Sequence, residues 1–226
     1  IVRNTAGSAT SAVATLTVNV PPAITAQPKS QTVVAGTNVL LSIRAAGTAL
    51  LAFQWLKDGA ELAGATSTNL SFNPVQTSDA GKYLARVSNA FGSVTSAPAV
   101  LKVNAAPVIT VPPQSQTVLT GSNVTFTVAA SGTAPLNYQW RFNNANLSGA
   151  TKTNLILRNV QSNKAGAYTV LVKNVAGAAT SVVATLTVRV SPRITKQPQS
   201  FTVLAGTNVT LSVSALGDAP LGFQWR

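Results

Sequence analysis

Phe53-Gln54-Trp55 decides how this chain is read. It returns as Tyr138-Gln139-Trp140 and again as Phe223-Gln224-Trp225, 85 residues further on each time. These three stretches hold all 3 tryptophans of the 226 residues, so the period is not picked from many candidates. A large aromatic recurring once per domain-sized interval points to one core anchor per domain.

Laid on this period, residues 21–105 match residues 106–190 without a gap. Ser30-Gln31-Thr32-Val33 falls on Ser115-Gln116-Thr117-Val118, and Gly47 on Gly132 and Gly217. Ala80-Gly81 followed by Tyr83 falls on Ala165-Gly166 followed by Tyr168. Residues 1–20 match the tail of a copy, with Asn4 and Gly7 in the places of Asn89 and Gly92, and residues 191–226 match the head of one. The first residues read as the inside of a strand and do not begin with Met, so a piece of a longer array is expected.

Within a repeat the signals are β. Val39-Leu40-Leu41-Ser42-Ile43, Leu51 to Leu56, Tyr83 to Val87 and Leu101-Lys102-Val103 are short aliphatic, aromatic or β-branched runs. Gly, Pro, Asn, Asp and Ser punctuate them. Tyr83, Ala85 and Val87 alternate with Lys82, Leu84 and Arg86, the period of a half-buried strand. Several short strands per 85 residues predict an all-β sandwich or barrel.

Composition narrows the chemistry. There is no Cys, Met or His, so no thiol or imidazole can serve as nucleophile, general base or zinc ligand. The four acidic residues are Asp58, Glu61, Asp79 and Asp218, against 16 Lys and Arg, for a formal net charge of +12. Such charge fits a polyanion partner or a merely solvated surface, and no run of Lys and Arg favours the first. No apolar run is long enough for a membrane helix. The Asp58-Gly59 pair and Glu61 read as a turn rather than an acid–base pair, because Asn143, Asn144 and Asn146 replace them in the next repeat. Sequons stand at Asn69, Asn123, Asn146 and Asn208.

Each full repeat resembles an immunoglobulin-like domain of the intermediate set. The resemblance rests on the run after Gly36-Thr37-Asn38, on Trp55, on Asp79-Ala80-Gly81-Lys82-Tyr83 and on Asn89 with Gly92. It implies tandem immunoglobulin-like β-sandwiches: 1–20 as strands F and G of one domain, 21–105 and 106–190 as complete domains, and 191–226 as strands A to C of another. It places Tyr83 at the family's tyrosine corner. The family's B–F disulfide would join positions 43 and 85, here Ile43 and Ala85, and in the next repeat Val128 and Val170. Cysteine-free versions resemble those of long bacterial surface proteins. Asp79 becomes Lys164, so an ion pair made there cannot be general to the array. Leu101-Lys102-Val103 runs into Pro107, and Leu186-Thr187-Val188 into Pro192, with no Gly/Ser linker between, which predicts semi-rigid junctions.

If Tyr83, Ala85 and Val87 point inward, the outer face of the C–F–G sheet in the first domain carries Lys82, Arg86 and Lys102 around Leu56 and Leu84. The same face of the second domain, with Arg141, Ala167, Thr169, Leu171 and Thr187, is less basic. An apolar centre with a charged rim is a candidate contact face, though outward charge also discourages strand pairing. The expected role is a non-catalytic structural or adhesive array, extracellular or at the cell surface, acting as a spacer or fibre-forming segment of a larger protein. Its partners would be neighbouring repeats or its own kind, with no cofactor, no specific nucleic acid and no membrane insertion. Two alternatives are a binding module for acidic polysaccharide or other polyanions, and spacer repeats of a secreted enzyme whose catalytic domain lies elsewhere.

Overall fold

The structure, a computed structural model, describes residues 1–226. The chain divides into two units, residues 1–103 and 104–226.

In the first unit, β1 (Val2–Asn4) and β2 (Gly7–Ala9) form a hairpin. Then come β3 (Ala23–Ala26), β4 (Gln31–Val34), β5 (Val39–Ser42), β6 (Arg44–Ala46), β7 (Ala52–Lys57) and β8 (Ala60–Glu61). The repeat closes with β9 (Asn69–Phe72), β10 (Gly81–Asn89), β11 (Gly92–Thr95) and β12 (Ala99–Asn104). One sheet has the order β4-β12-β10-β7-β8, with β11 paired to β10. Facing it are two pairs, β3–β6 and β5–β9. The expected Val39–Ile43 strand is divided: β5 pairs with β9, Ile43 donates its N–H to the Thr68 carbonyl, and β6 then pairs with β3. One run thus serves two partners in succession.

Alternation builds the core. Leu41, Ile43 and Val39 on one side meet Trp55, Tyr83, Ala85, Val87 and Leu101 on the other, all buried. The β7–β8 turn sits at Asp58-Gly59, with φ of 52° and 91°, the paired left-handed conformation that Asp-Gly hairpins favour.

The second unit repeats this with β13 (Val108–Val111), β14 (Gln116–Leu119), β15 (Val124–Thr127), β16 (Ala129–Ser131), β17 (Asn137–Phe142) and β18 (Ala145–Asn146). It continues with β19 (Asn154–Leu157), β20 (Gly166–Asn174), β21 (Gly177–Thr180) and β22 (Ala184–Arg189). The order β14-β22-β20-β17-β18 recurs. β14 runs parallel to β22, with Gln116 opposite Leu186 and Leu119 opposite Arg189. Phe126 stands where the first repeat has Leu41, and stacks on Tyr168 at 4.9 Å between ring centroids. Residues 191–226 add the pair β23 (Arg193–Lys196) and β24 (Ser214–Leu216), and Trp225 is 50% exposed there. Trp55 and Trp140, by contrast, are both 0% exposed.

Candidate functional site

The register of the first sheet places the five predicted face residues together. Leu84 lies opposite Leu56 and Arg86 opposite Gln54, while Lys82 lies opposite Val100, two positions from Lys102. Lys82, Arg86 and Lys102 are exposed and the two leucines half-buried. Arg86 on this face is held in an ion pair. Its guanidinium donates to Glu61 Oε1 at 2.6 Å, with the side chains 47% and 52% exposed. Glu61 comes from β8, the strand beside β7, where it lies opposite Leu56. The face thus offers two unpaired cations and one neutralised pair.

Gln54 also faces outward, but its amide is engaged, donating to the carbonyls of Trp55 and Leu62. Gln139 does the same to Trp140 and Leu147. The recurring Gln therefore braces the strand edge, while the recurring Trp fills the core. The single donor of Trp55, Nε1–H, reaches the Ser67 carbonyl, and that of Trp140 reaches Lys152. A buried, satisfied indole offers no stacking surface to a sugar.

The carboxylates of the first repeat have structural duties. Asp58 Oδ1 accepts the Lys82 N–H at 2.8 Å, and Asn143 Oδ1 accepts the Ala167 N–H at 3.0 Å in the same place. Because an amide does this work in the second repeat, the carboxylate is not needed as an acid or base. Asp79 Oδ2 accepts the Gln76 N–H and caps the 3₁₀ turn Thr77–Asp79. Tyr83 donates its hydroxyl to the Asp79 carbonyl at 2.6 Å, and Tyr168 to Lys164 at 2.8 Å. Burial, then the negative charges of Asp79 and Asp58, push the Tyr83 phenol up to about 12, and burial raises that of Tyr168. No group of three His, Cys, Asp or Glu side chains stands together to hold a metal ion.

A second constellation lies where the chain leads into each repeat. Asn89 Nδ2 donates to the carbonyls of Val20 and Thr48, and its Oδ1 accepts the Phe91 N–H. Thr48 in turn exchanges hydrogen bonds with both backbone groups of Val20. The second unit copies this: Asn174 Nδ2 donates to Ala105 and Thr133, and Thr133 grips both the N–H and the C=O of Ala105. Gly47 and Gly132 permit the approach, since a Cβ there would meet the Pro21 oxygen at 3.1 Å or the Ala106 oxygen at 3.0 Å. The residue leading into each repeat is thereby held by that repeat.

The sequence profile of the immunoglobulin domain matches residues 21–89 and 106–174. The chain belongs to the immunoglobulin domain family. Among curated relatives, mouse peroxidasin homolog is 31% identical over 221 residues, 91% of this chain and 15% of its own length. Mouse hemicentin-1 is 29% identical over 239 residues, 100% of this chain but 4% of its own length. The chain therefore spans a small part of the relatives it matches. Among solved structures, the titin I-band fragment I67–I69 superposes with a TM-score of 0.69 at 24% identity, covering 88% of this chain and 77% of that one. Human cell adhesion molecule DSCAML1 is 27% identical over 209 residues, 87% of this chain and 10% of its own length.

In this immunoglobulin frame, positions 43 and 85, and 128 and 170, all lie in the two cores: Ile43, Ala85, Val128 and Val170 are buried. The four sequon asparagines are exposed, and Asn123 and Asn146 already spend Oδ1 on Asn159 and Arg141. Sequence reading noted Lys164 only as the replacement of Asp79 and missed two more exposed cations, Arg158 and Arg189, at the same end of the second immunoglobulin repeat. Subtracting one repeat from the other would have found them, because their counterparts are Asn73 and Asn104.

Proposed function

We propose that this chain is a non-catalytic structural or adhesive array, a tension-bearing spacer within a longer extracellular surface protein. The observation that carries the reading is the parallel pairing of β14 with β22. These strands lie next to the beginning and the end of their repeat. Opposed pulls on the two ends therefore slide them along each other and load the paired positions together, instead of opening them one at a time. The grip on Ala105 complements this, since Thr133 and Asn174 of the second repeat hold the last residue before it, directly after the end of β12 at Asn104.

On this reading residues 21–105 and 106–190 are complete domains, residues 1–20 supply strands F and G of a domain, and residues 191–226 supply strands A to C of another. The cysteine-free cores fit arrays of the bacterial surface type, and neighbouring copies are the natural partners. The duties of Asp58, Glu61 and Asp79 in turns, a cap and an ion pair support a role without catalysis. Pulling the chain by its two ends in a single-molecule experiment tests the proposal. Two separate unfolding events of equal length are expected, and extension without a resolvable barrier would overturn it.

A further inference from the structure

We propose that the second complete repeat carries an anion-binding end, formed by Arg158, Lys164 and Arg189, that holds an acidic polysaccharide. Residues 106–190 contain six Lys and Arg and no Asp or Glu, whereas residues 21–105 contain six and three. The excess is concentrated. Arg189 ends β22, and its carbonyl accepts the Thr120 N–H at 2.8 Å. Thr120 Oγ1 reaches Gln161 Oε1 at 3.1 Å, and the Gln161 carbonyl accepts the Lys164 N–H at 2.9 Å. Arg158 follows β19, and the next residue, Asn159, donates its N–H to Asn123 Oδ1 at 3.0 Å. Gly121 N–H closes the ring on the Val160 carbonyl at 2.8 Å. One network of turns thus links the backbone segments that carry three exposed cations, none in an ion pair.

The other cations of the repeat are distant: Arg141 lies opposite Thr169 of β20, roughly 17 Å along the chain from Lys164 at strand rise. Lys152 precedes the opposite end of β19, roughly 20 Å from Arg158 at strand rise, and Lys173 is roughly 30 Å along β20 from Lys164. Screening at physiological salt acts over about 8 Å, so the end behaves as a separate patch. The equivalent end of the first repeat has Asn73, Asp79 and Asn104, with the Asp79 carboxylate used on Gln76. The patch is therefore specific to one repeat and not required by the fold.

The kind of anion follows from what is missing around it. Single-stranded nucleic acid needs exposed aromatic platforms, and no aromatic side chain in residues 106–190 is exposed. A neutral sugar would need the same stacking. A sulfated or carboxylated polysaccharide needs only spaced cations.

The test is binding of the whole chain to heparin and to polygalacturonate, as sulfated and carboxylated probes, across a range of salt. Replacing Arg158→Asn, Lys164→Asn and Arg189→Asn should weaken binding of the preferred probe at least tenfold. It should also lower the slope of log Kd against log salt by roughly 2–3, close to one per cation removed. The control Arg141→Leu, Lys152→Ser and Lys173→Ser removes the same charge using residues the first repeat carries at those places, and should cost less than threefold. Both triple variants should keep the parent's unfolding transitions. Absence of binding by the parent, equal losses in the two variants, or tighter binding of duplex DNA than of either polysaccharide would overturn the proposal.

Discussion

A disulfide placed between Val128 and Val170 should stabilise the second repeat. The two valines occupy the positions that a B–F disulfide of the immunoglobulin sandwich would join, and they are 6% and 0% exposed within one core. Val170 lies opposite Trp140 in the register of β20 with β17. Linking them closes a loop of about 43 residues, for which the chain-entropy relation gives about 13 cal/mol/K, or about 4 kcal/mol at 25 °C. Each Val→Cys change removes roughly one methyl equivalent of buried surface, about 0.8 kcal/mol. The net gain is therefore about 2 kcal/mol, and for a domain of this size the melting point should rise by about 8–16 °C. Scanning calorimetry of the whole chain, oxidised and reduced, reads this directly. The reduced variant should melt below the parent and the oxidised variant above it. A pair that stays reduced under oxidant, or an oxidised form that melts below the reduced one, would refute the register. Ile43 with Ala85 is the poorer pair, because a cysteine at the fully buried Ala85 must be accommodated in a filled core.

Asn174→Ala removes two donors from the carbonyls of Ala105 and Thr133, so the second repeat should lose about 2–3 kcal/mol in urea unfolding. The Ala105 amide should then exchange hydrogen faster, while the first repeat is unaffected. Tyr83→Phe removes the bond to Asp79 and should cost about 1 kcal/mol at neutral pH. Because the folded-state phenol is raised to about 12, its contribution is complete below about 10. It is lost as pH rises from there through 12, so alkaline unfolding of the first repeat should be less steep in the Phe variant. Glu61→Gln should change stability by no more than about 1 kcal/mol, as the pair with Arg86 is exposed, and the difference should vanish in high salt.

The parts of the fold set by short-range pattern were legible. The spacing of Trp55, Trp140 and Trp225 gave the repeat, and the alternation through Tyr83, Ala85 and Val87 gave the buried face of β10. It followed that Lys82, Leu84 and Arg86 face outward. What escaped depends on contacts between distant positions. β8 has two residues, too few for any period, so nothing local placed Glu61 beside Arg86, 25 residues away. The switch of partner at Ile43 depends on where β3 and β9 arrive, which the Val39–Ile43 run does not encode. The recurring asparagine of the β10–β11 turn is locally a turn residue, its Oδ1 accepting the Phe91 N–H. Its other role spans 69 residues, from Asn89 to Val20. The charge of Arg158, Lys164 and Arg189 was present in the sequence, but its concentration appears only when three turns come together.

The most direct test of the tension-bearing role is the unfolding force of the second repeat after proline is placed in β14. Successive residues alternate in turning their N–H toward β22, so of Thr117→Pro and Val118→Pro one removes ladder bonds. In the parent chain pulled from its ends, each complete repeat should release about 28–30 nm of extended backbone, less its folded length. In the disrupting variant, the force of one of the two events should fall while the other holds its parental value. Two unchanged forces in both proline variants, each confirmed as folded, would contradict the account, since the β14–β22 pairing would then not be what resists the pull.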